Sequence, residues 1–502
     1  MNSDKHEQSL SRRRFIKKLG TAAAATSILP SFRAKPLHSS GSGRKSEFRN
    51  IVFILSDDHR YDFMGFLGKP AFLKTPNMDR LARNGAHLKN AFVTTSLCSP
   101  SRASIFTGQY SHRHGVVDNQ TDIPEGTVFF PQYLQKAGYE TAFFGKWHMG
   151  HDTDGPRSGF NKWISFRGQG VYYDPEINID GRIKKVNGYI SDILTEYALN
   201  WLMNERDTDK PFFLFLSHKA VHAMFKPAKR HLGLYDDVKI EYPESMADTE
   251  QNYLGKPRWV REQRNSWHGV DYMYHGTMDF DTFYRRYCET LLGIDDSIGC
   301  ILDCLEETGL DRSTLVMYMG DNGFSLGEHG LIDKRHMYEE SIRVPFLASC
   351  PGLIEPGSTI PRMVQNIDIA PTLLDLAGVD IPDYMDGRSM LPLFKNENTP
   401  SWRDLIFYEY YWEWNYPQTP TVHGVRTDQY KYMHYHGIWD DDELYDIEKD
   451  PDEMHNLFHE PEYQDMVNGL NNRVFQWLEE TRGMNIPLRR TKGERKADRK
   501  LK

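Results

Sequence analysis

Ile51-Val52-Phe53-Ile54-Leu55-Ser56-Asp57-Asp58 is the stretch that decides the fold. Its apolar run is too short for a helix, and with no polar alternation it reads as a strand buried on both faces. The run ends on two adjacent carboxylates. Three other stretches repeat the design: Tyr139–Gly145 leads into Lys146-Trp147-His148, Pro211–Ser217 into His218 and His222, and Ser313–Met319 into Gly320-Asp321-Asn322-Gly323. Helical patterns at Ile190–Glu205 and Phe283–Glu307 fall between them. Apolar strands separated by helices predict an α/β domain, its largely parallel sheet sandwiched between helices. Ligands of such sheets bind beyond the carboxyl ends of the strands, where all four strands deliver charged or imidazole groups.

Asp57, Asp58, Asp321 and Asn322 offer only oxygen ligands, a set suited to a hard divalent cation such as Ca²⁺ or Mg²⁺ rather than zinc. Two adjacent aspartates at a strand end repel each other unless positive charge sits between them. Asp and Asn also cap helices and form turns, the simpler reading for either pair alone. Cys98-Ser99-Pro100-Ser101-Arg102 precedes Ala103–Gly108. Pro100 suits the first turn of a helix, which puts Cys98 just ahead of a helix N-terminus, a position that activates a nucleophile. Arg102, one turn on, can pair with an oxyanion or with the nucleophile itself. A small buried hydrophobe is the ordinary role of a lone cysteine.

The 502 residues hold 61 Lys and Arg against 70 Asp and Glu, a net charge of −9. Residues 1–33 carry seven positive side chains against two negative ones, and residues 489–502 eight against two, which leaves −20 on the body between them. An acidic body has little reason to bind nucleic acid or an anionic membrane through its bulk charge. Ser11-Arg12-Arg13-Arg14-Phe15-Ile16-Lys17 followed by a mild apolar run has the form of a twin-arginine export signal, and no stretch approaches the length of a membrane span. A mature protein outside the cytoplasm, periplasmic or secreted, is expected. Five cysteines cannot form a dense disulfide framework, and free thiols are expected at Cys288, Cys300, Cys304 and Cys350.

The Cys98-Ser99-Pro100-Ser101-Arg102 run with its Thr107-Gly108 close resembles the signature of the type I sulfatase family, in which the cysteine is oxidised to formylglycine. The companion elements follow in order: Asp57-Asp58, Gly145-Lys146-Trp147-His148, His222, Gly320-Asp321-Asn322-Gly323, Gly327-Glu328-His329-Gly330 and Lys334. Glu443-Leu444-Tyr445-Asp446 and the residues to Asn456-Leu457 resemble the family's terminal subdomain. The resemblance implies an alkaline-phosphatase-like catalytic domain over residues 48–398 and a smaller antiparallel-sheet subdomain over 399–488. A signal at 1–33, a spacer at 34–47 and a basic tail at 489–502 would flank them. It also implies Ca²⁺ on Asp57, Asp58, Asp321 and Asn322 beside Cys98 converted by a maturation enzyme. Arg102 and Lys146 would stabilise the formylglycine hydrate, His222 and Lys334 would hold sulfate and assist the leaving alcohol, and His148 would help release sulfate. His218 and His222 compete for one role. His222 stands at the family's distance past the strand, but Val221 replaces a common proline, so the register stays open.

The insert Pro227–Met278 contains Trp259, Trp267, His268, Tyr272, Tyr274 and His275, a composition suited either to sugar rings or to a satellite core. His329, Trp267 and His268 are candidate substrate contacts. Phe407–Tyr416 reads as a strand of the C-terminal sheet. The expectation is an exported sulfatase acting on a sulfated glycan. A phosphate or phosphonate monoester hydrolase and a silent glycan-binding homologue are the alternatives.

Overall fold

The structure, a computed structural model, describes residues 50–150, 154–437 and 441–487. The export-type segment, the spacer and the basic tail lie outside the described residues. The strands are β1 (Asn50–Ser56), β2 (Ala86–Leu88), β3 (Ala91–Phe92), β4 (Glu140–Lys146), β5 (Lys162–Phe166), β6 (Glu176–Ile179), β7 (Arg182–Lys185) and β8 (Phe212–Ser217). They continue with β9 (Thr314–Gly320), β10 (Phe346–Ser349), β11 (Ser358–Ile360), β12 (Val364–Gln365), β13 (Leu405–Tyr410), β14 (Val422–Thr427), β15 (Tyr430–Tyr435) and β16 (Glu443–Asp446).

Ten of these strands form one sheet in the order β11-β2-β10-β9-β1-β8-β4-β5-β6-β7. Its centre, β9-β1-β8-β4-β5, is parallel throughout, whereas β10 joins β9, and β6 joins β5, antiparallel. The fold is therefore the mixed, largely parallel sheet expected. Alternate residues of β1 enter opposite cores. Val52 and Ile54 pack with the helices Ile190–Asn200 and Phe280–Glu307, and Ile51, Phe53 and Leu55 pack with Cys98–Thr107, Phe130–Lys136 and Ile369–Leu376. Since every residue of β1 is buried, an uninterrupted apolar strand is what both layers require.

Three boundaries shift from the sequence reading. The long helix begins at Phe280, because the Asp279 side chain accepts from Thr282 N and caps it. The helix starting at Ile190 is regular to Asn200 and closes in a π turn over Trp201–Glu205. The aromatic stretch Phe407–Tyr416 is strand only to Tyr410; the remainder leaves the sheet and folds back through a Glu413–Tyr416 turn.

Strands β13 to β16 form a separate antiparallel sheet, packed against the helix Gln464–Thr481. It docks on the large domain partly through His112, whose Nδ1 lies 2.7 Å from Glu409 Oε2. All five cysteines are free thiols. No helix among the described residues is long and apolar enough to cross a membrane.

Candidate active site

Because β9, β1, β8 and β4 are consecutive in the sheet, their carboxyl ends stand side by side, one strand spacing apart. They present Asp321-Asn322, Asp57-Asp58, His218–His222 and Lys146 in that order. Gly145 makes the approach possible: with φ +121°, it would place a Cβ 1.8 Å from the Ser217 carbonyl oxygen. Asp58 and His148 also take left-handed backbone, with φ 54° and 51°, where non-glycine residues are uncommon.

The helix Cys98–Thr107 is buried along its whole length and points its first turn at these strand ends. Cys98 is its first residue rather than the residue before it, with Leu97 as N-cap. Cys98 Sγ lies 3.3 Å from Asp57 Oδ1 and 3.0 Å from Lys334 Nζ. The side chain is a buried free thiol. Burial, reinforced by the Asp57 carboxylate, pushes it up to about 12 against the pull of Lys146 and Lys334.

Arg102 ties the pieces together. Its guanidinium reaches Asp321 Oδ2 at 2.9 Å and Asp57 Oδ2 at 3.3 Å, and it donates to the Lys146 carbonyl at 2.7 Å and Ser217 Oγ at 2.6 Å. Lys146 pairs with Asp57, and Lys334 with Asp58. Burial opposes ionisation of Asp57, but Lys146 and its other neighbours hold the carboxyl well below the usual range. Burial instead pushes Asp58 up to about 7, despite Lys334, with Asp57 and Asp321 adding like-charge repulsion.

Carboxylate oxygens of Asp57, Asp58 and Asp321 all lie within 4.8 Å of one another. Asn322 donates its amide to Asp58 Oδ1 at 2.7 Å, while its own Oδ1 is buried without a partner. Three crowded carboxylates and an orphaned amide oxygen fit a hard divalent cation better than they fit a structural role.

His222 stands on the same side: it groups with Asp57 and Cys98, ligand atoms within 4.8 Å. Its Nδ1 is 2.5 Å from the Ala223 carbonyl, which leaves Nε2 for the site. His218 turns away instead, its Nε2 3.0 Å from Ser297 Oγ on the long helix. Burial, together with Lys146, holds both His148 and His222 well below the ordinary imidazole range. His148 is buried, with Nδ1 unpartnered.

The substrate candidates divide. His329 is buried against Tyr338, ring centroids 4.1 Å apart, and its carbonyl accepts from Tyr253, so it belongs to the seam with the C-terminal sheet. His268 stacks on Tyr416 at 4.8 Å and lies 3.3 Å from Asp333. Half-buried Trp267 crosses Tyr274 at 4.5 Å, and the Arg335 guanidinium sits over Tyr416 at 3.8 Å while bonding Glu413 at 2.6 Å. This aromatic and ionic wall adjoins Lys334 through Asp333 and Arg335. Trp259 takes no part in it, buried against Tyr435 of β15.

Several of these residues escaped the sequence reading. Asp333 and Arg335 flank Lys334 and could have been found from that adjacency. Glu413 and Tyr416 were hidden inside an apparent strand. Lys219 and Tyr172 carried no signal beyond the nearness of Lys219 to His222. Burial first, then repulsion from Lys146, pushes the Lys219 amine down to about 8.

The chain matches the Sulfatase family model over residues 49–379, and the model for the C-terminal part of N-sulphoglucosamine sulphohydrolase over 327–480. It is 35% identical to an N-acetylglucosamine-6-O-sulfatase of Bacteroides thetaiotaomicron, with 91% of this chain and 90% of that protein covered. It is 30% identical to the human N-acetylglucosamine-6-sulfatase over 74% of this chain and 69% of that one. A solved structure in complex with its substrate D-glucosamine-2-N,6-O-disulfate superposes with a TM-score of 0.81 at 32% identity, covering 88% of this chain and 99% of that one. A cysteine-headed helix aimed at the carboxylate, imidazole and lysine groups of four strand ends thus occurs in a chain that matches the Sulfatase family model over most of its length and is 35% identical to a sulfatase across about nine-tenths of both chains. The chain belongs to the sulfatase family of sulfuric ester hydrolases.

Proposed function

We propose that this chain is an exported sulfatase that removes the 6-O-sulfate of an N-acetylglucosamine-type sugar in a sulfated glycan, using formylglycine at position 98 beside Ca²⁺. The observation that carries the reading is the placement of Cys98 between a carboxylate cradle and Lys334, 3.0 Å from its Sγ. The names of the relatives support the sugar and the position. Asp57, Asp58, Asp321 and Asn322 would hold the cation.

Oxidised to formylglycine and hydrated, residue 98 would supply two geminal hydroxyls, one to attack sulfur and one whose proton is lost as the aldehyde re-forms and sulfate leaves. A cation held by Asp57, Asp58, Asp321 and Asn322 would supply Lewis-acid polarisation of the sulfate. The Sγ atom marks the region those hydroxyls occupy. Arg102, fixed by four contacts, and Lys146 supply positive charge that need not reorganise during reaction. Lys334 and His222 flank the reacting region. Lys334, the cation of the two, would hold the sulfate and give positive charge or a proton to the departing alcohol. His222, neutral in this setting, would assist only after the anionic substrate lets its Nε2 take up a proton. His148, kept neutral by its surroundings, takes the remaining hydroxyl proton so that sulfate can leave. The wall of Trp267, His268, Tyr416 and Arg335 offers aromatic faces and fixed polar groups to the sugar ring. Residues 1–33 direct export, and a maturation enzyme converts Cys98.

Mass spectrometry of the Cys98 peptide from protein made in an exporting host, with turnover of N-acetylglucosamine-6-sulfate and of an aryl phosphate, tests the proposal. Conversion of thiol to aldehyde and preference for the sulfate ester are expected. Full activity with an unmodified thiol, or a large phosphate preference, defeats it.

A further inference from the structure

Lys219 is a charge without a mate. It leaves the end of β8, keeps only 4% of its surface exposed, and its ammonium has neither an ion pair nor a hydrogen bond among the described residues. Its seat is the face of Tyr172, 4.6 Å from Nζ to the ring centroid. The charges that act on it are those of the site: Lys146, Asp57 and Asp58. Every other cation there is balanced. Arg102 bridges Asp57 and Asp321, Lys146 holds Asp57, and Lys334 holds Asp58.

Four cations thus stand against three carboxylates, before any bound metal adds positive charge. A buried, unpaired ammonium is costly, and a tyrosine face returns only part of that cost. An uncompensated charge kept at such expense beside a reacting centre is explained by a ligand that brings the missing negative charge. The backbone links Lys219 to the same machinery, because His222 N donates to the Lys219 carbonyl at 3.1 Å and the Tyr172 hydroxyl donates to the His222 carbonyl at 2.5 Å. Tyr172 therefore seats the ammonium and braces the His222 loop at once.

We infer that Lys219 is an anion-binding residue of this site, a fourth cation whose counter-charge is the sulfate group of the substrate. The inference rests on the proposed sulfatase reaction. It names a residue outside the Cys98, Arg102, Lys146, His148, His222 and Lys334 set, and it assigns the Tyr172 ring as the platform that aims it.

The test compares Lys219→Met and Lys219→Arg with the wild type in mature, metal-loaded enzyme. The readouts are KM and kcat on an aryl sulfate, inhibition by inorganic sulfate, and thermal melting. Lys219→Met should raise KM and the sulfate inhibition constant together, each by about tenfold, with a much smaller change in kcat. Its melting temperature should hold or rise, because an unpaired buried charge has been removed. Lys219→Arg should recover most of the sulfate affinity. Unchanged KM and sulfate inhibition in Lys219→Met overturn the inference, as do losses accompanied by a lowered melting temperature, which mark a structural role. A wild-type enzyme inert towards sulfate esters would instead strike the proposed function itself, so the two failures are separable.

Discussion

Lys334 Nζ lies 3.0 Å from Cys98 Sγ while it pairs with the Asp58 carboxylate. One ammonium thus touches both the residue that would carry the reacting oxygens and the carboxylates that would carry the metal. Losing it should damage chemistry more than folding. Lys334→Ala is expected to lower kcat by at least about a hundredfold while the protein still folds and retains measurable binding of inorganic sulfate. Steady-state kinetics with a sulfate-inhibition series decides it; an unchanged kcat would remove Lys334 from the reaction.

Cys98 is wholly buried, yet its side chain is small and its loss leaves only a minor void. Cys98→Ala should abolish turnover and cost no more than about 1–2 kcal/mol of stability. Denaturant unfolding alongside an activity assay separates this from a core role, for which global unfolding would be the outcome.

Arg102 satisfies two buried carboxylates, a carbonyl and a hydroxyl. With its side chain and both acids at 1% exposure or less, Arg102→Ala leaves uncompensated buried charge and should destabilise the fold by about 3–5 kcal/mol in the absence of metal. A bound divalent cation should recover part of that loss, because it takes over the neutralisation of Asp57 and Asp321. Melting curves with Ca²⁺ and with chelator measure both numbers. In the wild type, chelation should abolish turnover and lower the melting temperature, and Ca²⁺ should restore both.

His112 and Glu409 join the large domain to β13, and their titration predicts a pH window. Burial opposes ionisation of Glu409, but His112 outweighs it and holds the carboxyl at about 2. Its share of stability is complete above its ordinary value of 4.5 and is lost as pH falls towards 2. Burial opposes protonation of His112, but Glu409 raises it above 6.5, so that share is complete below 6.5 and fades as pH rises through the raised value. The melting-temperature difference between wild type and Glu409→Gln should therefore be greatest near pH 4.5–6.5 and shrink on both sides. A difference flat from pH 3 to 9 would show that the pair is not ionised.

Trp267 is half-buried, braced by Tyr274 and by Tyr416 at 6.3 Å. If it faces the sugar, Trp267→Ala should raise KM for N-acetylglucosamine-6-sulfate by about tenfold and leave a small aryl sulfate nearly unaffected. Equal effects on both substrates would place the ring in the scaffold instead.

The sequence by itself determined what lies at the end of each central strand. A buried parallel strand needs an unbroken apolar run, so its polar terminus stands out, and Asp57-Asp58, Lys146, His218 to His222 and Asp321-Asn322 could be read from pattern alone. Cys98 and Arg102 were legible through Pro100, a residue suited to the first turn of their helix. Tertiary structure alone decided where the side chains went beyond those ends. His218 is nearer the strand, but Ser297, 79 residues away, claims it and leaves His222 facing Cys98. Glu413 and Tyr416 follow a strand-like alternation, yet a turn takes them out of the sheet to meet Arg335. Lys219 meets the face of Tyr172, 47 residues away in the chain, and has no ion pair among the described residues. Local periodicity fixes an element because it depends on which face is buried. Pairing among loop side chains depends on neighbours brought in from distant parts of the chain, and that information exists only in the folded molecule.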